Sequence, residues 1–341
     1  MDITAKVLEK EALLRWVDSL KGVIGPVKEG NQVIFRPIKS SLELELDYGS
    51  TMIPPTAFIC PPQETLLKFT QNDEGFTIKE SLSHTKQVLL GVHPCDINAV
   101  LFLDKVFYKT KFPDPYYVAR RKNTFLIALN CTQVSENCFC ASMGTGPFLD
   151  KGYNLLLTDL GDRYLVELRQ EEEIVASLPL KDATTWDMEG KAKREKMLKD
   201  SFTKKLDIEN LPALLKDNLD HPVWYRVGES ECLSCTNCTM VCPTCYCYNV
   251  VDRTDLDLKN IERYRYWDSC QDLYFAEVHG GNFRSTREAR LRQFVCHKLS
   301  YIEQYNCFGC VGCGRCITWC PTNIDLTEIA KGIQTNARKS A

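Results

Sequence analysis

An α+β or α/β N-terminal domain followed by a mostly helical, cysteine-rich domain is the fold class that this 341-residue sequence predicts. Three observations predict it. Apolar strand-like runs alternate with helical spacing over residues 1–168. Charged side chains then crowd residues 169–220. Finally the pattern Cys-x2-Cys-x2-Cys-x3-Cys-Pro occurs twice, at Cys232, Cys235, Cys238, Cys242 and Pro243, and at Cys310, Cys313, Cys316, Cys320 and Pro321.

In chain order, Val7, Leu8, Leu13, Leu14 and Val17 fall at near-helical spacing and predict an amphipathic helix over residues 4–20. Val33–Ile38 and the alternating Leu42–Leu46 read as half-buried strands, and Ala57–Cys60 as a short strand stopped by Pro61 and Pro62. Gln87–Val92 is a buried-type strand leading through His93-Pro94-Cys95-Asp96 into a helix from Ile97 to Phe107, with Asp96 as its N-cap. Phe125–Leu129 is a further apolar strand. Tyr153–Leu157 and Tyr164–Leu168 flank a turn at Leu160-Gly161-Asp162. Residues 1–168 suffice for a core of their own. Residues 169–220 read as a charged helical linker, with Glu171–Glu173, the basic run Lys191–Lys199 as a solvated face, and a short helix at Leu211–Leu219. Residues 221–331 form the helical domain, and residues 332–341 a tail. The 67 residues from Pro243 to Gly309 separate the two cysteine runs widely, and Cys270–Val278 and Arg284–Lys298 in that insert look helical.

Composition narrows the function. Hydrophobic residues make up 44% and charged residues 26%, as in a soluble globular protein. A formal net charge of −3 gives no electrostatic case for nucleic acid or an anionic membrane. No apolar run approaches the roughly 20 residues of a membrane helix, and the N-terminus lacks a basic segment before an apolar core. Eighteen cysteines without a secretory signal argue for metal in a reducing cytoplasm.

The repeated spacing is that of cubane [4Fe–4S] clusters. Three thiolates two residues apart wrap one cluster, and the fourth, followed by proline, ligates the other cluster of a pair. One cluster is therefore assigned to Cys232, Cys235, Cys238 and Cys320, the other to Cys310, Cys313, Cys316 and Cys242. Gly309, Gly312 and Gly314 are expected to allow positive φ and close approach of amides to the sulfides. A zinc ribbon would need separated Cys-x2-Cys pairs. Four more cysteines lie in the N-terminal half. Cys95 and Cys131 each follow an apolar strand, at the sheet edge where α/β folds bind ligands, and Cys138 and Cys140 lie on the loop after it. They are expected to hold a third [4Fe–4S] cluster, the alternative being ordinary buried thiols. Roles for Cys60, Cys245, Cys247, Cys270, Cys296 and Cys307 are open, with Cys245 a conceivable substitute for Cys242. His93 and His297 each adjoin a cysteine, as iron ligands or as satisfied polar residues. No G-x-G-x-x-G after a strand, P-loop, H-E-x-x-H or G-x-S-x-G occurs.

Gly91-Val-His-Pro-Cys-Asp96, Asp114-Pro-Tyr-Tyr117, Arg120-Arg121, Cys138-Phe-Cys-Ala-Ser-Met-Gly-Thr-Gly-Pro147 and Leu157-Thr-Asp-Leu-Gly-Asp162 form an ordered set of signatures. It continues through His221-Pro-Val-Trp224, Cys242-Pro-Thr-Cys-Tyr-Cys247, Trp267-Asp-Ser-Cys270, Asn282-Phe-Arg284 and His297-Lys298. From about Lys28 to Asp325 the chain resembles the iron–sulfur beta subunit of cytoplasmic sulfhydrogenases and the A-type subunit of anaerobic sulfite reductase. The resemblance implies an electron-transfer subunit with a two-cluster α-helical ferredoxin domain. It also implies a flavin- and NAD(P)-binding diaphorase-like partner, and a catalytic redox subunit of hydrogenase, sulfite reductase or heterodisulfide-reductase type on another chain. The expectation is a cytoplasmic electron relay of an anaerobic oxidoreductase complex, not catalytic alone. The alternatives are a redox enzyme whose N-terminal cluster binds substrate directly, and a structural cluster protein or assembly scaffold.

Overall fold

The computed structural model of the chain describes residues 4–72, 75–169 and 173–340. Residues 4–20, expected as one helix, divide into β1 (Thr4–Glu9) and α1 (Lys10–Ser19). All six residues of β1 pair antiparallel with a distant strand, Thr4 opposite Leu168 through Glu9 opposite Arg163. That long-range ladder outweighs a helical spacing that local sequence alone displays. β2 (Val23–Glu29) and β3 (Gln32–Pro37) form a hairpin. Strands expected at Leu42–Leu46 and Ala57–Cys60 are instead single 3-10 turns, Ser41–Glu43 and Pro55–Phe58. A capping box between Ser40 and Glu43 starts the first, and Pro54-Pro55 starts the second.

β4 (Gln63–Asn72) and β5 (Gly75–Glu80) follow, then β6 (Gln87–Val92) and α2 (Pro94–Phe107). Helix α2 begins earlier than expected, with His93 and not Asp96 as its N-cap, because Pro94 takes the first helical position and the Asp96 carboxylate is engaged elsewhere. α3 (Pro115–Lys122), capped by Asp114, leads to β7 (Thr124–Leu129), β8 (Leu155–Asp159) and β9 (Arg163–Leu168). The Glu171–Glu172 part of the acidic run lies outside the described residues, as does Ala341 of the tail. β10 (Lys181–Asp182), α4 (Thr185–Asp200) and α5 (Leu211–Asp217) complete the middle segment.

Strand order in the large sheet is β10-β1-β9-β8-β7-β6-β2-β3, with β2, β6, β7 and β8 parallel. Strict alternation gives each face its own core. Val88, Leu90, Ile127, Leu129, Leu155 and Leu157 meet Leu13, Trp16 and Val17 of α1 on one side. Leu89, Leu126, Ala128 and Leu156 meet Ile97, Val100 and Leu103 of α2 and Tyr117 of α3 on the other. A third core surrounds the fully buried Trp224. It joins α5, α6 (Pro222–Tyr225), α8 (Arg287–Leu299) and α10 (Leu326–Ser340).

The cysteine-rich half is not the mostly helical domain expected. After α7 (Asn237–Met240), β11 (Tyr248–Thr254) and β12 (Asn260–Trp267) form an antiparallel hairpin. Cys270–Val278 is not a helix either: a 3-10 turn at Tyr274–Ala276 runs into β13 (Glu277–Val278), paired with β14 (Gly281–Asn282). α8 is the one long helix of the insert, and α9 (Arg315–Thr318) is a single turn. The physical reason is pairing across the chain: β12 adds to β4 of the N-terminal half, giving a four-stranded sheet β11-β12-β4-β5. Buried Arg265 of β12 locks that seam, its guanidinium on Glu64 and Asp114.

Candidate metal centres

Two loops repeat one backbone design. Ser234 and Thr236 in the first have φ of 51° and 69°; Gly312 and Gly314, at the same motif positions in the second, have 65° and 75°. These left-handed turns curl each loop and aim amides at sulfur. Ser234 N–H donates to Cys232 Sγ at 3.4 Å, and Gly312 N–H to Cys310 Sγ at 3.3 Å. Each loop closes on a Cys-Pro-Thr corner, where Thr244 Oγ1 lies 3.2 Å from Cys242 Sγ and Thr322 Oγ1 lies 3.5 Å from Cys320 Sγ. Gly309 is not in the left-handed region. Its lack of a side chain admits the His297 carbonyl, which a Cβ would meet at 2.6 Å.

The glycines of the second loop have a further purpose. A Cβ on Gly312 would lie 2.7 Å from the Cys140 backbone, and one on Gly314 2.3 Å from the Asn137 carbonyl. The second loop is thus pressed against the N-terminal Cys138–Cys140 loop, with Phe139 N–H donating to Gly312 O at 2.8 Å and Thr145 Oγ1 to Val311 O at 2.6 Å. Gly312→Ala is expected to destabilise the protein by about 2–3 kcal/mol through clash and φ strain. Ser234→Ala, at the matching position of the first loop, is expected to cost under about 1 kcal/mol. Urea unfolding of the two variants under anaerobic conditions checks the contrast.

The cysteines line three adjoining cavities. The first is walled by Cys232, Cys235, Cys238 and Cys320, with Cys316, Phe294, Val295 and Ile329. The second is walled by Cys242, Cys310, Cys313 and Cys316, with Phe139, Thr244 and Lys298. The last cysteine of each run thus lines the cavity of the other run. The third is walled by Cys95, Cys131, Cys138 and Cys140, with Cys313, His93 and Arg315, beyond the carboxyl ends of β6 and β7. Cys316 is common to the first and second cavities and Cys313 to the second and third. Cys235 is the one exposed cysteine among the described residues, and no disulfide forms.

Sulfur crowds sulfur in these cavities. Burial pushes the Cys310 thiol up to about 12 and Cys313 up to about 11, and raises Cys95, Cys131, Cys138, Cys140, Cys238 and Cys316 as well. Neighbouring sulfurs add to the effect. Crowded thiols of this kind ionise only beside strong positive charge, which bound metal supplies. Among the described residues no three His, Cys, Asp or Glu side chains converge as a single-ion site; the sulfurs ring cavities instead.

Two buried cations already face them. Lys298, 3% exposed, donates from Nζ to Thr244 Oγ1 at 3.0 Å. Burial works against its charge, but Cys242, Cys245 and Cys310 outweigh it and hold Lys298 protonated. No carboxylate pairs with it among the described residues. Arg315 is 2% exposed and forms a two-bond fork with Asp96, at 2.6 and 2.8 Å, while its Nε donates to the Thr51 carbonyl at 2.7 Å. The all-thiol donor sets and sulfur-directed amides of the first two cavities, with Lys298 beside the second, fit [4Fe–4S] clusters there.

The other candidates fall elsewhere. His297 is a half-buried, hydrogen-bonded histidine, its Nε2 3.0 Å from Tyr246 OH. His93, by contrast, lines the third cavity. Cys60 and Cys307 pack on the core around α2, and Cys296 is buried around Trp224. Cys245 hydrogen-bonds Cys242, lowering the latter's pKa; Cys247 and Cys270 hydrogen-bond each other at the foot of the β11–β12 hairpin. Sequence patterns alone do not single out Arg315. For Lys298 a signal is present: it continues the buried stripe Leu291, Phe294, Val295 of α8, where a charge needs a partner.

Among known protein families, a 4Fe-4S dicluster domain matches residues 231–324, enclosing both cysteine runs. The chain is 37% identical over 321 residues to sulfhydrogenase 2 subunit beta of Pyrococcus furiosus, covering 91% of this chain and 93% of that one. No solved structure matches it. No helix among the described residues is long and apolar enough to cross a membrane. With the cysteine runs, their cavities and an alignment that spans nearly the whole of both chains, this protein belongs to the iron–sulfur beta-subunit family of sulfhydrogenases.

Proposed function

We propose that the chain is the electron-relay subunit of a multi-subunit oxidoreductase, working between a flavin- and NAD(P)-binding diaphorase-like partner and a separate catalytic redox subunit. One observation carries this reading: three cysteine-lined cavities stand in a row with shared walls, from exposed Cys235 to the buried edge of the large sheet. Cys232, Cys235, Cys238 and Cys320 would hold one cluster, Cys310, Cys313, Cys316 and Cys242 the second, and Cys95, Cys131, Cys138 and Cys140 the third. When bound, such clusters supply one-electron chemistry. The chain's own residues set the conditions for it. Phe294, Val295 and Ile329 keep water from the first cavity, Lys298 places a positive charge at the second, and Arg315 with Asp96 braces the wall between second and third.

Iron and acid-labile sulfide per chain, on protein purified without oxygen, test the assignment. About 12 irons are expected, falling to about 8 in a Cys95→Ser/Cys138→Ser variant. About 8 in both would return the N-terminal thiols to the core. Reduction by NAD(P)H only when a flavoprotein partner is added would support the relay, whereas substrate turnover by the isolated chain with a chemical reductant would overturn it.

A further inference from the structure

The third cavity contains a donor that is not a thiol. His93 follows β6 at the N-cap position of α2, and it is 2% exposed. Its ring lies flat on Tyr48, with centroids 3.9 Å apart and planes within 5°, and Tyr48 OH is itself tied to the Gly91 carbonyl at 2.7 Å. The imidazole donates a hydrogen bond to the Gly49 backbone. Nε2 is the nitrogen with no hydrogen-bond partner among the described residues. The ring therefore cannot turn, and one nitrogen is occupied by the backbone. The other is buried and unpartnered among the described residues, on a residue that lines the cavity walled by Cys95, Cys131, Cys138 and Cys140.

A buried polar atom without a partner carries a desolvation cost that a structure retains only for a reason. An imidazole whose far N–H is held by a backbone group is the arrangement in which histidine binds metals, because that bond fixes both tautomer and aim. We propose that His93 Nε2 ligates an iron of the cluster in the N-terminal cavity in place of one of the four cysteines assigned to it above, so that three thiolates and one imidazole hold a mixed cysteine–histidine centre. The inference rests on the reading that this cavity holds a cluster. A neutral imidazole in place of a thiolate removes one negative charge from the centre, which makes it easier to reduce than its two neighbours. The row of cavities then slopes toward the sheet edge, and electrons gather there.

Pulsed EPR on the full chain, purified without oxygen, reduced with dithionite and prepared with natural-abundance or 15N-labelled histidine, tests the ligand directly. A directly bonded nitrogen coupling that changes with the label is expected, and it should vanish in His93→Cys while iron stays at about 12 per chain. A chain with about 12 irons and no histidine coupling would overturn the ligand and leave the third cluster standing. A coupling that survives in His93→Cys would assign the nitrogen to another histidine and equally overturn it. About 8 irons in both wild type and Cys95→Ser/Cys138→Ser would remove the cluster and the ligand together.

Discussion

Arg315→Met is expected to cost about 3–5 kcal/mol of stability, the range for breaking a buried ion pair by deleting one partner. Arg315 and Asp96 are 2% and 1% exposed in their side chains and joined by two hydrogen bonds. Methionine would fill much of the space but leave the Asp96 carboxylate buried and uncompensated. The two residues come from different halves of the chain, α9 and α2, so the loss also loosens the contact between the second and third cavities. Urea unfolding under anaerobic conditions should show a lower midpoint at an unchanged slope. Arg315→Met/Asp96→Asn should recover part of the loss, since the stranded charge is then gone. A midpoint shift worth less than about 1 kcal/mol in the single variant would show that the pair does not hold the halves together.

Lys298→Met should lower the reduction potential of the cluster proposed at Cys242, Cys310, Cys313 and Cys316 by roughly 100 mV. A unit charge about 6 Å away, at an effective dielectric near 20, is worth about 3 kcal/mol, or about 120 mV for one electron. The sign follows from charge alone. Reduction adds an electron, and a neighbouring cation stabilises the more negative state. Lys298→Gln, which keeps a donor for Thr244 but no charge, should shift the potential as far, and Lys298→Arg should shift it little. An EPR-monitored redox titration separates this centre from the others. Equal potentials in wild type and Lys298→Gln would mean that the lysine is neutral in the cluster-bound protein.

Local patterns in the sequence carry information wherever local forces decide the structure. The strand at Gln87–Val92 and the apolar run at Phe125–Leu129 stand where expected, and the helix between them ends at Phe107 as expected though it starts earlier, because both faces of those strands are buried and the pattern is nearly continuous. Cysteine spacing is equally readable, since three sulfurs two residues apart have few ways to converge. Long-range pairing is not readable. Thr4–Glu9 has helical spacing yet serves as a strand because β9 offers it a ladder. β5 and β11 are almost wholly exposed and β4 and β12 are mostly half-buried or exposed, so burial gives them little pattern to advertise, and each half of their sheet depends on a partner distant in sequence. Arg315 is hidden for a related reason: its partner Asp96 lies in the other half of the chain, and the sequence marks His93 as a candidate without separating it from His297, which only the three-dimensional neighbourhood does.

The seam between β4 and β12 also bears on how the protein is made. Gln63 pairs with Tyr266 and Thr70 with Asn260, so one edge of an early strand stays open until most of the chain has left the ribosome. Closing so large a loop is slow relative to local helix and turn formation. During that interval the thiols of both C-terminal runs are still being synthesised or lack their mutual walls, because Cys320 completes the cavity begun at Cys232. Completion of the first cysteine cage is thereby tied to the end of synthesis, and a truncated chain presents an unpaired strand and an incomplete cage together.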